Sequence, residues 1–313
     1  MRKIIVAIFL VLTFLCSCSD LNNATKLKPD DAIKLKPDDA IKLKPDDTIN
    51  LKPDDAIKLK PDDAIAHSNR GIGYNNLGQY QRAIDEYNEA IRLKPDSAEI
   101  YNNRGIAYAN LGQYQRAIDD YNEAVRLKPD LAEIYSNRGI AYAKLGQHQC
   151  AIDDYNEAIR LQPDLAEVFS NRGIAYAKLG KYQRAIDDYN EAIRLQPDLA
   201  EAYNNKGNAY NNLGQYQHAI DDFNKAISLK PKDAKLYYNR GIAYDNLGKL
   251  QRAIEDFNEA ISLKPEDALA YTNRAGAYFM QGNKKLFCRD VQKACSLGDC
   301  KLFEMAKGKR YCP

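Results

Sequence analysis

The feature that most constrains the fold is a 34-residue repeat, present six times between residues 64 and 267 and followed by an altered seventh copy. A proline and a glycine recur at fixed positions: Pro95, Pro129, Pro163, Pro197, Pro231 and Pro265, and Gly78, Gly112, Gly146, Gly180, Gly214, Gly248 and Gly282. Self-similarity at this period indicates a stacked array of two-element units. The repeats, rather than the total length of 313 residues, therefore set the expected architecture.

The unit at residues 98–131 is typical of the copies. Apolar residues recur at three- and four-residue spacing over about 98–110 and 115–128, which predicts two helices with one buried stripe each. Gly112 suits a left-handed end of the first helix, and Pro129 prevents the second from continuing. Each unit is therefore an α-hairpin whose bare apolar face only the next hairpin can cover. The predicted fold is an all-α solenoid of stacked antiparallel helix hairpins.

Seven positions of this unit carry a resemblance to the tetratricopeptide repeat family: Tyr101, Gly105, Tyr108, Ala117, Tyr121, Ala124 and Pro129. The resemblance extends over residues 64 to about 298. It implies a right-handed superhelix whose first helices line a concave groove, and a role in protein–protein interaction. One slot departs from the family, which usually has Leu where this chain has Arg70, Arg104, Arg138, Arg172, Lys206, Arg240 and Arg274. We expect this departure to leave the fold untouched.

An asparagine precedes that basic residue in every unit: Asn69, Asn103, Asn137, Asn171, Asn205, Asn239 and Asn273. Asparagine is a mediocre helix former, so its recurrence within a helix needs a reason. The resemblance places this slot on the concave face, where similar ladders are associated with holding an extended peptide. One amide can donate to and accept from a peptide unit. The alternatives are a bond to a neighbouring unit's backbone, or recent duplication of the repeat. The other groove positions predict a polar surface with an apolar C-terminal end at Tyr238, Phe279 and Met280.

Residues 1–18 resemble a bacterial lipoprotein signal. Two basic residues precede an apolar run at 4–15, and this run is too short for a comfortable membrane span. Leu15 lies three positions before Cys18, so the resemblance implies a lipid on Cys18. Ser19 then favours the outer membrane, with the protein on its periplasmic face. An ordinary secretory signal, which would leave the protein secreted, and an uncleaved anchor are the alternatives.

Residues 19–63 contain a second, octapeptide repeat, KLKPDDAI, which we interpret as a linker. Its prolines recur too often for a long helix, and its few apolar residues cannot offset the entropy of ordering. A duplication of the unit junction with no selected role is the alternative. The chain is therefore predicted to have four segments: a signal at 1–18, the linker at 19–63, six repeats at 64–267, and a degenerate seventh unit with a cysteine-rich cap at 268–313.

The seventh unit brings four cysteines together in sequence: Cys288, Cys295, Cys300 and Cys312. A terminal repeat needs a cap, and disulfides would stabilise a short one in an exported chain. Reduced core thiols and a metal site are the alternatives, but CxxC spacing is missing and no histidine is near. Four cysteines allow three pairings, among which the sequence does not choose.

The remaining composition argues against chemistry and against nucleic acid. The chain has 45 basic and 43 acidic residues, without the basic stripe that a general nucleic-acid binder needs. No nucleophile motif, phosphate loop or metal spacing occurs, and we expect no cofactor. The recurring Asp pairs, such as Asp119-Asp120, are interpreted as helix surface. The predicted function is a non-catalytic, membrane-tethered scaffold that binds protein or peptide partners. The alternative is a structural envelope protein that holds an assembly or a wall polymer, with an empty groove.

Overall fold

The computed structural model describes residues 63–312. Over that range the chain is all helical, with no strand, as the repeats predict. The helices are α1 (Ala64–Asn76), α2 (Tyr80–Leu93), α3 (Ala98–Asn110), α4 (Tyr114–Leu127), α5 (Ala132–Lys144), α6 (His148–Leu161), α7 (Ala166–Lys178), α8 (Tyr182–Leu195), α9 (Ala200–Asn212), α10 (Tyr216–Leu229), α11 (Ala234–Asn246), α12 (Leu250–Leu263), α13 (Ala268–Met280), α14 (Lys284–Ser296) and α15 (Lys301–Gly308). The signal segment with Cys18 and the linker up to residue 62 lie outside the described residues.

Consecutive helices pack as antiparallel hairpins, and the second helix of each hairpin packs on the first helix of the next. The first helices of the units, from α1 to α13, also approach one another from unit to unit. Over the described range, the second helices approach one another less closely. The array therefore curves with its first helices, here called the inner helices, on the concave side, and the second or outer helices on the convex side. This confirms the solenoid.

The turn within each hairpin follows the predicted glycine. Gly112 has a φ of 74°, and its N–H donates to the carbonyl of Ala109 at 2.9 Å. The next N–H, of Gln113, donates to the carbonyl of Tyr108 at 2.9 Å, which completes a Schellman motif. The corresponding glycines of the other six units have φ between 71° and 76°. A left-handed residue is thus required at every inner-to-outer turn, and glycine supplies it at low cost.

The core of each hairpin is a fully buried ring on the outer helix that lies against a glycine of the inner helix. In the first six units the rings are Tyr87, Tyr121, Tyr155, Tyr189, Phe223 and Phe257. In the seventh unit both partners change together, because Ala275 takes the glycine slot and Val291 takes the ring slot. The pair is therefore matched in volume, and a larger residue on one helix goes with a smaller one on the other.

The basic residue in the family's leucine slot is part of the fold, which corrects the surface interpretation of the Asp pairs. The first Asp of each pair, such as Asp119, is exposed, but the second is buried. Arg104 donates through Nε and Nη2 to the carboxylate of Asp120, at 2.8 and 2.6 Å. The same pairing, at the same spacing, joins Arg138–Asp154, Arg172–Asp188, Arg240–Asp256 and Arg274–Asp290, and Lys206 forms it with Asp222.

The same guanidinium also reaches the preceding unit. Arg104 Nη1 donates to Asn88 Oδ1 of α2 at 2.7 Å, and its guanidinium carbon lies 5.5 Å from the ring centre of Tyr101. One side chain therefore links three helices, two of its own hairpin and one of the previous hairpin. In this chain the slot that the family usually fills with an apolar residue holds a bidentate ion pair, which arginine geometry favours.

The C-terminal unit ends in a cap that the repeat pattern does not contain. The additional helix α15 packs against α14. Sγ of Cys288 on α14 is bonded to Sγ of Cys312, and Cys295 is bonded to Cys300. These two bonds tie both ends of the final segment to α14. None of the helices between residues 63 and 312 is long and apolar enough to span a bilayer.

Candidate functional site

The seven ladder asparagines lie on the seven inner helices, one per helix, but their exposure differs along the array. Asn137 and Asn205 are 3% exposed, and Asn171 and Asn239 are 9% exposed. The members nearest the ends, Asn69, Asn103 and Asn273, are half-buried. In the centre of the array the ladder therefore lies deep between neighbouring inner helices.

Three ladder amides are engaged by the preceding unit. Asn137 Nδ2 donates to Asn102 Oδ1 at 3.2 Å, and Asn239 Nδ2 donates to Asn204 Oδ1 at 2.8 Å. At the C-terminal end Asn273 Nδ2 donates to the hydroxyl of Tyr238 at 2.7 Å. In each case the acceptor lies one slot before the ladder position of the previous inner helix. The bonds are thus made between units, as the alternative interpretation expected, but with side chains instead of backbone.

The acceptor slot holds a serine in three units: Ser68 before Asn103 at the N-terminal end, and two consecutive serines in the centre of the array. It holds Ser136 before Asn171 and Ser170 before Asn205, and neither asparagine forms a side-chain hydrogen bond with its serine. Ser136 Oγ, Asn137 Oδ1 and Asn205 Nδ2 are buried and have no hydrogen-bond partner among residues 63–312. A serine hydroxyl lies one bond closer to the backbone than the amide oxygen of an asparagine, so it does not reach the next inner helix. The central part of the ladder is therefore left open, whereas the acceptor slot is filled on both sides of it.

A carboxyl group lies at the filled pair of Asn102 and Asn137, which precedes this open segment. Asn102 Nδ2 donates to Glu133 Oε1 at 3.2 Å, so the side chains of Asn137, Asn102 and Glu133 form a chain of hydrogen bonds. Burial raises the pKa of Glu133 to about 7, although hydrogen bonds from Asn102 and Asn137 oppose the shift. The groove therefore contains a group that changes its charge near neutral pH.

Two apolar side chains are exposed at the C-terminal end of the last inner helix. Phe279 is 46% exposed and Met280 is 71% exposed, both at the end of α13. Near the middle of the array, burial and the charge of Lys178 lower the pKa of His148. The three histidines belong to separate units, and no group of His, Cys, Asp or Glu side chains within residues 63–312 is arranged to hold a metal ion.

Sequence reasoning identified the ladder but missed which of its members are open. The signal was present in the slot that precedes each ladder asparagine on the previous inner helix, which holds Asn or Tyr in some units and Ser in others. The sequence does not show that each ladder asparagine faces the residue one position before the ladder asparagine of the previous inner helix. This pairing is visible only in the structure. The Arg–Asp pairing was missed for the same reason, since it joins opposite helices of a hairpin.

Two family models match the chain. One, described as TPR repeat, matches residues 73–112, 107–146 and 141–180, and the other, described as Tetratricopeptide repeat, matches residues 166–199, 200–233 and 234–267. Together they extend over 73–267, which is more than half of the chain. No curated protein matches it.

Several solved structures share the fold. A tetratricopeptide repeat protein from Parabacteroides merdae is 25% identical, with a TM-score of 0.61, over 77% of this chain and 95% of that one. MamA from Desulfovibrio magneticus RS-1 is 26% identical, with a TM-score of 0.52, over 54% of this chain and 96% of that one. YrrB, described as a TPR protein with an unusual peptide-binding site, is 24% identical, with a TM-score of 0.51, over 59% of this chain and 95% of that one. With its repeats, its hairpin packing and these matches, the chain belongs to the tetratricopeptide repeat family.

Proposed function

We propose that the protein is a non-catalytic scaffold, exported and tethered to a membrane, that binds an extended peptide segment of a partner in its concave groove. Proteins with these repeats generally mediate protein–protein interactions and are generally not catalysts. The finer part of the proposal concerns where the peptide binds and how the scaffold is held.

The observation that carries the peptide proposal is the open segment of the ladder, formed by Asn171 and Asn205. Buried polar groups are normally hydrogen-bonded, and an unpartnered one costs about 1–3 kcal/mol. Ser136 Oγ and Asn205 Nδ2 lack partners within the described chain. These atoms have almost no accessible surface, so a ligand with both donors and acceptors would remove this cost by entering between the inner helices and parting them.

An extended peptide backbone has the required chemistry. Each peptide unit offers one N–H donor and one C=O acceptor, and an asparagine amide can pair with both. Because such bonds involve only the backbone, they hold the peptide without selecting its side chains. Selection would come from the groove positions that vary between units.

The double change Ser136→Asn and Ser170→Asn tests the proposal without removing a ladder residue. Asparagine already occupies this slot as Asn102 and Asn204, so we expect the new side chains to accept hydrogen bonds from Asn171 and Asn205. Peptide capture should fall roughly thirtyfold if each of two lost hydrogen bonds contributes about 1 kcal/mol. The melting temperature should rise, since two buried amides gain partners. Capture is measured as enrichment from a phage-displayed library of short random peptides.

The matched control removes asparagines from the convex side. Asn122 and Asn156 accept hydrogen bonds from Arg138 and Arg172 at 2.8 and 2.7 Å, so Asn122→Ala with Asn156→Ala also breaks two inter-unit bonds. This control should lower stability and leave peptide enrichment unchanged. Equal enrichment for the Ser→Asn pair and the unaltered protein, at raised melting temperature, would show that the open ladder does not bind peptide.

The tether is proposed from the signal-like sequence with Cys18. In the native host, the mature protein should begin at Cys18 and carry a diacylglyceryl group on that residue. Mass spectrometry of the purified protein measures both, and Cys18→Ser should move the protein out of the membrane fraction. Cleavage without a mass increase at Cys18 would instead make the protein a secreted one.

A further inference from the structure

The C-terminal cap presents a surface on which cations and apolar side chains lie together. Residues 284–310 contain eight basic and three acidic residues, and all eight basic side chains are exposed. Two of the three acidic side chains, in contrast, are buried or hydrogen-bonded. Asp290 is 1% exposed and is bonded by Arg274, and Asp299 accepts from the hydroxyl of Thr272 at 2.8 Å. Only Glu304 remains as an exposed acid in this segment. The cap is therefore more cationic on its surface than its composition indicates.

The chain's last turn brings Tyr311, which follows Lys309 and Arg310 in sequence, against Phe279 at the end of α13. The Tyr311 ring lies edge-on to that of Phe279 with centroids 5.6 Å apart, and the Cys288–Cys312 bond holds the end of the chain against α14. Arg310 takes a φ of 56°, which turns the chain back after α15. We call the following residues the cap surface: Phe279, Met280, Lys284, Lys309, Arg310 and Tyr311.

The apolar members of the cap surface are well exposed. Phe279 is 46%, Met280 is 71% and Tyr311 is 42% exposed, and Met305 on α15 is 50% exposed. Lys284 begins α14 directly after the turn that follows Met280. Soluble surfaces carry single exposed apolar residues without consequence, but a group of them surrounded by cations marks an interaction surface.

We infer that the cap surface binds an anionic lipid bilayer. Lysine and arginine side chains near a bilayer are attracted to anionic headgroups, and apolar side chains among them enter the boundary between headgroups and acyl chains. A polyanion in solution, such as a phosphate polymer, would use the cations but would leave Met280 and Phe279 in water. The exposed methionine and aromatic rings therefore favour the bilayer over the polymer. This contact is at the opposite end of the array from the proposed tether and does not depend on it.

The test measures partition of the unlipidated full chain onto vesicles of phosphatidylcholine with and without phosphatidylglycerol. The N-terminal segment has cations of its own but is common to all variants, so the change between variants in the extra partition caused by phosphatidylglycerol reports on the cap. Lys284→Glu, Lys309→Glu and Arg310→Glu together should lower that increment on the order of a hundredfold, because each basic residue near an anionic bilayer contributes about fivefold. The control triple Lys230→Glu, Lys232→Glu and Lys235→Glu makes the same charge change on another exposed cluster and should lower the increment by less than about threefold, since surface charges at this distance are largely screened by salt.

The apolar contribution is tested by Met280→Ser, a change at a side chain that is 71% exposed. It should lower partition onto phosphatidylglycerol vesicles severalfold and leave binding to soluble polyphosphate unchanged. Equal losses for the two charge-reversed triples would overturn the inference, since net charge alone would then explain binding. Undiminished vesicle binding by Met280→Ser, together with polyphosphate binding as tight as vesicle binding, would also overturn it and identify a soluble polyanion as the occupant. Far-UV circular dichroism verifies that each variant keeps its helicity.

Discussion

Replacing Gly139 by alanine is expected to destabilise the hairpin of α5 and α6 by about 2 kcal/mol, the usual cost of overpacking a core. A Cβ at this position would lie 2.7 Å from Cε1 and 2.9 Å from Cδ1 of Tyr155. The ring cannot give way, because Tyr155 is 1% exposed and packed on all sides. In an open helix the same substitution would be favourable by about 1 kcal/mol, since alanine has the higher helix propensity. The clash therefore changes the sign of the effect.

The seventh unit shows how the clash is relieved. There Ala275 occupies the glycine slot, Val291 occupies the ring slot, and both are fully buried. With Tyr155→Val already present, Gly139→Ala is therefore expected to become neutral or stabilising. The quantity compared is the change in unfolding free energy caused by Gly139→Ala, once in the unaltered protein and once in Tyr155→Val. The destabilisation caused by the cavity in Tyr155→Val is present on both sides of the second difference and therefore cancels.

Gly276 provides the matched control for the same substitution. It lies within α13, and a Cβ there would meet nothing within 4 Å. Gly276→Ala should raise stability by about 0.5–1 kcal/mol. Urea unfolding followed by circular dichroism measures the global effect, and amide exchange in α5 and α6 measures the local one, because neighbouring units of a solenoid need not unfold together. Similar effects at Gly139 and Gly276 would contradict the packing argument.

The local features of the fold could be predicted from the sequence because each depends on neighbours in the chain. A glycine such as Gly112 must follow the inner helix wherever the turn needs a positive φ, and the apolar spacing then defines both helices. The structure places α4 at Tyr114–Leu127, one residue earlier at each end than the expected 115–128. Such shifts at helix ends leave the packing stripe unchanged.

The features that were not predictable depend on contacts between helices. The pairing of Cys288 with Cys312 requires α15 and the left-handed Arg310, neither of which belongs to the repeat. The open and closed members of the asparagine ladder differ only in the residue that faces them from the previous inner helix. Which ladder asparagines are open therefore depends on the residues that adjacent units place opposite one another, and the repeat consensus does not show it.

The second large effect is expected at the buried ion pair of Arg138 and Asp154. Asp154→Ala should cost about 3 kcal/mol or more, because it leaves a guanidinium buried without its carboxylate. The Arg138 and Asp154 side chains are 16% and 9% exposed, and Nη2 lies 2.6 Å from Oδ1. The family resemblance suggests the compensating change, since leucine usually occupies the arginine slot. Arg138→Leu combined with Asp154→Leu should be close to the unaltered protein in stability, as often holds when apolar residues replace a buried pair.

Arg160 and Glu157 form the matched control. Their ion pair has the same Nη2–Oε1 distance of 2.6 Å, but the side chains are 65% and 34% exposed. Glu157→Ala should therefore change the free energy of unfolding by less than about 0.5 kcal/mol, since exposed pairs are screened by solvent and salt. Urea unfolding of the single and double variants gives the coupling energy of each pair. If Asp154→Ala and Glu157→Ala had equal effects, burial would not be what makes the repeated Arg–Asp pair stabilising. The arginine slot would then be explained by charge alone.

If the effects of Asp154→Ala and Glu157→Ala differ as expected, the fifth unit should gain stability from Lys206→Arg. Lys206 reaches Asp222 with one nitrogen at 3.0 Å, whereas an arginine would use two.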